Sequence, residues 1–186
     1  MSAQIKASYF AGNVAALAIL GPEKEAIARA RLQTAIAALN AASRADWIPI
    51  EHDDALSDVV CELGGVQAIR DVNRQSFLSS VDGPLIRPLF QGAIKLLGMS
   101  PKAGLRFFSR GWEAGMKEAG RIDVVIDKDD GGGTLVHSGY VADRNWHEGL
   151  VGIIEGIYVV TRHVGPIELK IEKDRAVYAC RWKPQP

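Results

Sequence analysis

The sequence predicts an α+β fold, an N-terminal helical bundle packed against a C-terminal four-stranded antiparallel sheet. Three observations carry this. Apolar residues recur at helical spacing from Pro22 to Gly115; the period falls to two after Gly120; and a helical period returns from Trp146 to Val164, between two alternating pairs. That helix is striped by Gly149, Gly152 and Gly156, small residues that let a neighbouring backbone approach closely. The 186 residues are expected to form a single domain, 1–186, with a helical part over 1–120 and a strand-strand-helix-strand-strand part over 121–186.

Each element has its own signal. Gly21-Pro22-Glu23 opens a helix with proline and acid in the first turn, and Ala26, Ile27, Ala30, Ala35, Ile36 and Leu39 continue it to residue 39. Asp46-Trp47-Ile48-Pro49 interrupts. A second helix starts near Asp53-Asp54, whose carboxylates suit the positive end of a helix dipole, and stops at Gly64-Gly65. Val66, Ile69, Asn73 and Phe77 mark a third, and Leu85, Leu89, Ala93 and Leu96 a fourth. Ser100-Pro101 then supplies an N-cap and a first-turn proline for a fifth, carrying Leu105, Phe108, Trp112 and Gly115. Ile122, Val124 and Ile126 alternate, Asp129 to Gly133 turns, and Leu135 to Tyr140 returns as a hairpin. Gly165-Pro166 ends the glycine-striped helix, and a second hairpin runs from Ile167 to Trp182.

Composition excludes some functions. Lys+Arg and Asp+Glu both number 22, so no net basic field exists to hold nucleic acid or an anionic membrane surface. The two cysteines, Cys61 and Cys180, have neither metal-site nor redox-pair spacing and are expected to be buried and reduced. Lys6 followed by Ala7 to Leu20 has the outline of a targeting segment. Tyr9, Gly12 and Asn13 interrupt it, and it falls short of the ~20 apolar residues that a bilayer needs, so a cytoplasmic location is expected.

The chemistry-bearing residues give weak signals. His147-Glu148 begins like a zinc-protease helix, but Val151 stands where the second histidine belongs. His52 with Asp53 and Asp54 is accounted for by helix capping, and His137 and His163 by a strand and a last helical turn. Asp129 to Gly133 lacks the ending of a phosphate loop, and no serine sits in a nucleophile elbow. No metal site and no enzyme activity are expected. Phe107, Phe108, Trp112 and Trp146 remain; Phe108 and Trp112, four apart on one helix, either pack the core or line a pocket between bundle and sheet.

Ser109-Arg110-Gly111-Trp112, the helix from Trp146 to Val164 and the closing Ala176 to Trp182 resemble the superfamily that joins haem nitric-oxide-binding domains, vinyl-reductase-type domains and TRAPP-like subunits of a vesicle-tethering complex. Within it, the chain looks most like an uncharacterised paralogous family of myxobacteria. The resemblance implies a helical bundle beside a four-stranded antiparallel sheet. In the haem branch, a tyrosine-x-serine-x-arginine clamp holds the porphyrin propionates. Here Tyr140-Val141-Ala142-Asp143-Arg144 keeps its ends and lacks its serine. That branch also carries an axial histidine on the helix before the first hairpin, and no histidine lies between His52 and His137. No cofactor is therefore expected, haem-dependent gas sensing being a minor alternative.

The expected function is a non-enzymatic binding or sensory domain for an apolar, acyl or aromatic small molecule. Phe108, Trp112, Tyr140, Arg144 and Trp146 are its expected ligand-binding wall or mouth, with Arg144 able to grip a carboxylate or phosphate. The alternative is a protein-interaction or assembly module without a ligand, with a protein partner or a homodimer formed through the helix over 22–39.

Overall fold

In the computed structural model, which describes residues 2–81, 100–140 and 142–186, the first sheet forms where the sequence gives little strand signal. Strand β1 (Gln4–Lys6) pairs antiparallel with β2 (Trp47–Pro49) on one side and β3 (Met116–Lys117) on the other. Its alternation turns Ile5 inward to 1% exposure, against buried Ile48. Three residues or fewer per strand are too short to show a period of two, and the pairing is decided by contacts far apart in sequence.

Helix α1 (Ala7–Ala16) follows directly, burying Phe10 and Val14, so the stretch that resembles a targeting segment is an integral part of the packed core. A 3-10 turn (Leu17–Leu20) and Gly21, at φ 83°, lead into α2 (Pro22–Arg31), which has Glu23 and Glu25 in its first turn and Arg29 and Arg31 in its last. The continuous helix expected over 22–39 is instead broken at Leu32 (φ −96°, ψ 17°), before α3 (Gln33–Ala41). The break leaves Ala28, Leu32 and Ala35 all buried, so tertiary burial overrides the unbroken local propensity.

The two helices expected on either side of Gly64-Gly65 are one kinked helix, α4 (Glu51–Val81). Gly65 takes φ 74°, and the chain resumes its helix without an intervening loop. The helix expected over Leu85 to Leu96 lies outside the described residues. Helix α5 (Pro101–Gly115) is capped by the Ser100 hydroxyl, which accepts from the Ala103 N–H at 3.4 Å.

Strands β4 (Arg121–Ile126), β5 (Gly132–Ser138), β7 (Ile167–Ile171) and β8 (Arg175–Arg181) form a sheet of order β4-β5-β8-β7, with every neighbour antiparallel. Between its hairpins runs α6 (Arg144–Thr161), closed by Arg162 in the left-handed conformation at φ 58°. His163, expected in the last helical turn, sits past this cap in β6 (His163–Val164), which pairs with β9 (Lys183–Pro184). The described residues thus make a mixed α+β structure of six α-helices and antiparallel sheets.

Helix α6 is buried on several sides at once. Its apolar residues meet Leu135, Tyr178 and Cys180 of the large sheet in one core, and its glycines meet α4. A Cβ on Gly152 would collide with the Arg70 carbonyl and lie 2.7 Å from its Cα, while one on Gly156 would lie 2.6 Å from Phe77 Cδ1. Beside this seam Arg70 holds the buried Glu148 through Nε at 2.9 Å and Nη2 at 2.5 Å, and Arg74 reaches Glu155 at 3.1 Å. Both cysteines are free; Cys180 is buried, whereas Cys61 is only half-buried. Among the described residues no helix is long and apolar enough to cross a membrane.

Candidate functional site

Four helices turn one face each toward a common cavity of about 150 Å³. Helix α1 contributes Ser8, Tyr9, Gly12 and Asn13, and α5 contributes Phe107, Phe108, Gly111 and Trp112, the same i, i+1, i+4, i+5 spacing on both. Helix α4 contributes twice, Asp53 and Ser57 before the kink and Asn73, Ser76, Phe77 and Ser80 after it. Trp146, Leu150 and Ile153 of α6 close another side, with Ile5 and Met116 from the small sheet. The wall is therefore aromatic and aliphatic on α5 and α6, and polar along α4.

The aromatic part is locked in place by its polar edges. Trp112 Nε1 donates to the Gly120 carbonyl at 3.1 Å, and its ring meets Phe108 and Trp146 edge-on at 6.2 and 5.6 Å between centroids. Trp146 Nε1 donates to Asp53 Oδ2 at 3.1 Å, and Asn13 Nδ2 donates to Asp53 Oδ1 at 2.8 Å. A carboxyl group on α4 thus ties α1 and α6 together at the cavity wall. Burial raises its pKa, against the lowering effect of these two donors.

Next to it, the Tyr140 hydroxyl donates to Asp54 Oδ2 at 3.2 Å, while Asp54 Oδ1 is buried without a partner. Burial, and then the neighbouring Asp53 charge, push Asp54 up to about 6. A carboxyl pKa raised by folding costs stability wherever the group is ionised, above about pH 6, and costs nothing below its unfolded value. Asp54→Asn, which still accepts from Tyr140, is expected to stabilise the protein by about 1 kcal/mol at pH 8, the group being only half-buried, and to lose that gain by pH 4. Urea melts of both proteins at the two pH values measure this, and an equal gain at both would remove the carboxylate as its cause.

Behind the tryptophans lie two histidines, His137 on β5 of the large sheet and His147 on α6. His137 Nε2 donates to the Ala119 carbonyl at 2.8 Å, which leaves its buried Nδ1 bare, and His147 Nδ1 lies 2.7 Å from the Tyr178 hydroxyl. Burial lowers both, His147 to about 4 with a further contribution from His137, so the imidazoles are neutral at pH 7. Among the described residues no group of three or more histidine, cysteine or acidic side chains is placed to hold a metal ion.

Of the five residues read from the sequence as a ligand wall, Phe108, Trp112 and Trp146 line the cavity. Tyr140 and Arg144 do not. Tyr140 directs its hydroxyl to Asp54, and Arg144, 68% exposed in the first turn of α6, reaches forward to Glu148 at 3.4 Å. This is a solvent-screened ion pair with the residue one turn ahead. Sequence reasoning missed Tyr9, Asn13, Asp53, Ser57 and Ser76. The repeat of Ser8, Tyr9, Gly12 and Asn13 on one helical face was the signal available for α1, and it was obscured by the apolar run around it. Asp53 read as a helix-dipole acid, and its burial depends on Asn13 and Trp146, 40 and 93 residues away.

No family model matches the chain, and no curated protein matches it. Solved structures do. An oxygen-binding H-NOX domain related to soluble guanylate cyclases, in its oxygen complex, superposes with a TM-score of 0.64 at 12% identity, covering 96% of this chain and 94% of that one. A structure solved in work on modulating haem redox potential through protein-induced porphyrin distortion gives 0.63 at 12% identity, with 96% and 99% covered. A point variant of the Fe(II) unliganded H-NOX protein from K. algicida gives 0.60 at 10% identity, with 96% and 97% covered. These neighbours overturn the expectation that no cofactor belongs here and that haem is a minor alternative. That expectation rested on one missing histidine and one missing serine, and neither is needed to build the architecture of a haem domain. Along nearly its whole length, this chain has the fold of H-NOX domains.

Proposed function

We propose that the chain is a non-enzymatic sensory, ligand-binding domain, with haem-dependent gas sensing as the activity that its neighbours support best. One observation carries the reading: in a chain that follows haem domains over nearly its whole length, a largely apolar cavity opens between α1, α4, α5 and α6. The donor set sets a condition. No imidazole or thiolate is among the described residues lining the cavity, whereas the Tyr9 phenol and the Met116 thioether are, both of kinds that ligate haem iron. The donor set suits a haem held through Tyr9 or Met116 and not through histidine, and the cavity of about 150 Å³ would have to widen to admit a porphyrin.

When bound, haem supplies an iron whose open coordination position can take a diatomic gas. The residues that would hold it are Phe108 and Trp112 beside the ring, Leu150 and Ile153 against water, and Tyr9 as the oxygen donor. Tyr9 is placed by a close fit, since any Cβ on Gly115 would overlap its ring. Its hydroxyl has a single long bond, 3.4 Å to the Gly111 carbonyl, and is not committed to another strong partner. Titration of the purified protein with ferric haem is expected to produce a Soret band that saturates at one equivalent and shifts in Tyr9→Phe or Met116→Leu. Haem that remains unbound, with the spectrum of free haem, would sink the reading.

A second reading is favoured by the cavity's volume. About 150 Å³ suits a ligand of one aromatic ring, bound without metal.

A further inference from the structure

The polar side of the cavity holds a carboxyl group without a counter-charge. Asp53 is buried, lines the cavity, and accepts only from two neutral donors, Asn13 and Trp146; no lysine or arginine pairs with it among the described residues. An ionised carboxylate in such surroundings is costly unless a cation joins it. One turn along the same helix Ser57 is 3% exposed, and across the cavity, beside Gly12, Ser76 is 8% exposed. Neither hydroxyl has a hydrogen-bond partner among the described residues, and both face the cavity. A carboxyl group that lacks a counter-charge and two hydroxyls that lack partners among the described residues thus line one cavity, and together they favour a ligand that brings hydrogen-bond donors and positive charge.

The opposite wall specifies the rest of that ligand. Phe108, Trp112 and Trp146 meet edge-on and present flat apolar surface to the space, and the volume of about 150 Å³ matches cavities that hold a benzene ring. With a carboxyl group present and no cation among the described lining residues, an anionic ligand is disfavoured. Arg144, which the sequence offered for a carboxylate or phosphate, does not line this cavity.

We infer that the cavity recognises a small aromatic amine, its ammonium group held by Asp53 with Ser57 accepting a second hydrogen bond and its ring lodged among Phe108, Trp112 and Trp146. The inference rests on the second, metal-free reading of the cavity. An ammonium has three donors and no acceptor, matching a carboxylate and unpartnered hydroxyls. A neutral ring would fill the same volume but leave Asp53 without a counter-charge and the Ser57 hydroxyl without a partner.

Calorimetry of the whole chain with benzylamine, benzyl alcohol, toluene and benzoate at pH 7 tests this. Benzylamine is expected to bind roughly ten- to hundredfold more tightly than benzyl alcohol, the ratio that one charge-assisted hydrogen bond supplies, and benzoate not to bind. Asp53→Asn is expected to level benzylamine and benzyl alcohol while toluene binding persists. Equal binding of amine and alcohol to the unaltered protein overturns the inference even if the variant fails to fold, and so does an Asn variant that keeps the preference. If toluene binds without any preference for the amine, the metal-free cavity stands and only the amine falls; if none of the four binds, both fall.

Discussion

Replacing Gly152 by valine is expected to lower the melting temperature by on the order of 10 °C, the largest effect of any single methyl-bearing substitution on α6. The cause is a steric collision with backbone, which cannot rotate away. The new Cβ would overlap the Arg70 carbonyl oxygen and lie 2.7 Å from Arg70 Cα and 2.8 Å from its carbonyl carbon. Relief requires α6 to move from α4, and that would strip contacts from Ile154, Ile157 and Val151, all buried completely. Overpacking of this kind costs about 3 kcal/mol. Gly149→Ala provides the contrast. Its Cβ meets the Asn73 side-chain amide, 2.9 Å from Nδ2, and that group can turn aside at the loss of its hydrogen bond to the Ile69 carbonyl, so a drop of about half the size is expected. Thermal denaturation of the two variants decides it, and similar losses would mean that α4 and α6 are less rigidly apposed than described.

Arg70→Ala is expected to cost about 3 kcal/mol, because it leaves Glu148 at 2% exposure without its main cation. Arg144 also reaches Glu148, at 3.4 Å, but its 68% exposed side chain is screened by solvent and cannot replace a guanidinium bonded at 2.9 and 2.5 Å. Arg144→Ala is accordingly expected to change stability by less than about 1 kcal/mol. Glu148→Gln in the Arg70→Ala background should recover much of the loss, since a neutral amide carries no unpaired charge. Urea denaturation of the unaltered protein, Arg70→Ala, Glu148→Gln and the double variant gives the coupling energy between Arg70 and Glu148. A coupling near zero would place the loss in the packing of the arginine stem.

Both predictions concern the α4–α6 seam, and only half of that seam could be read in the sequence. The repeat of Gly149, Gly152 and Gly156 announces that something approaches α6 closely. It does not say that the partner is the stretch of α4 after its kink, because Gly64-Gly65 looks like a helix end to any local rule. Whether two adjoining helical runs separate or stay in line depends on what they pack against. Here Ile69, Val72 and Asn73 are held under α6, so the helix resumes immediately after the turn at Gly65.

The cavity shows the same division more sharply. Phe108 and Trp112 are visible as a pair from their spacing of four, and Trp146 from its place at the head of an apolar helix. Asp53 is not. Its sequence neighbours describe a first-turn acid in water, and only Asn13 and Trp146 make it a buried carboxyl on a cavity wall. The reverse holds for Tyr140 and Arg144, whose pattern resembles a ligand clamp and whose side chains turn to Asp54 and Glu148.

By itself, then, the sequence determined the α+β class, the existence of the glycine-striped helix and its flanking hairpins, and part of an aromatic wall. Each of these is written in the period of residues a few positions apart, where backbone geometry alone relates them. The kink at Gly65, the three-stranded sheet around β1 and the carboxyl at the cavity were decided by tertiary structure. Each depends on groups separated by tens of residues, whose meeting lowers the free energy only once the chain has closed around them.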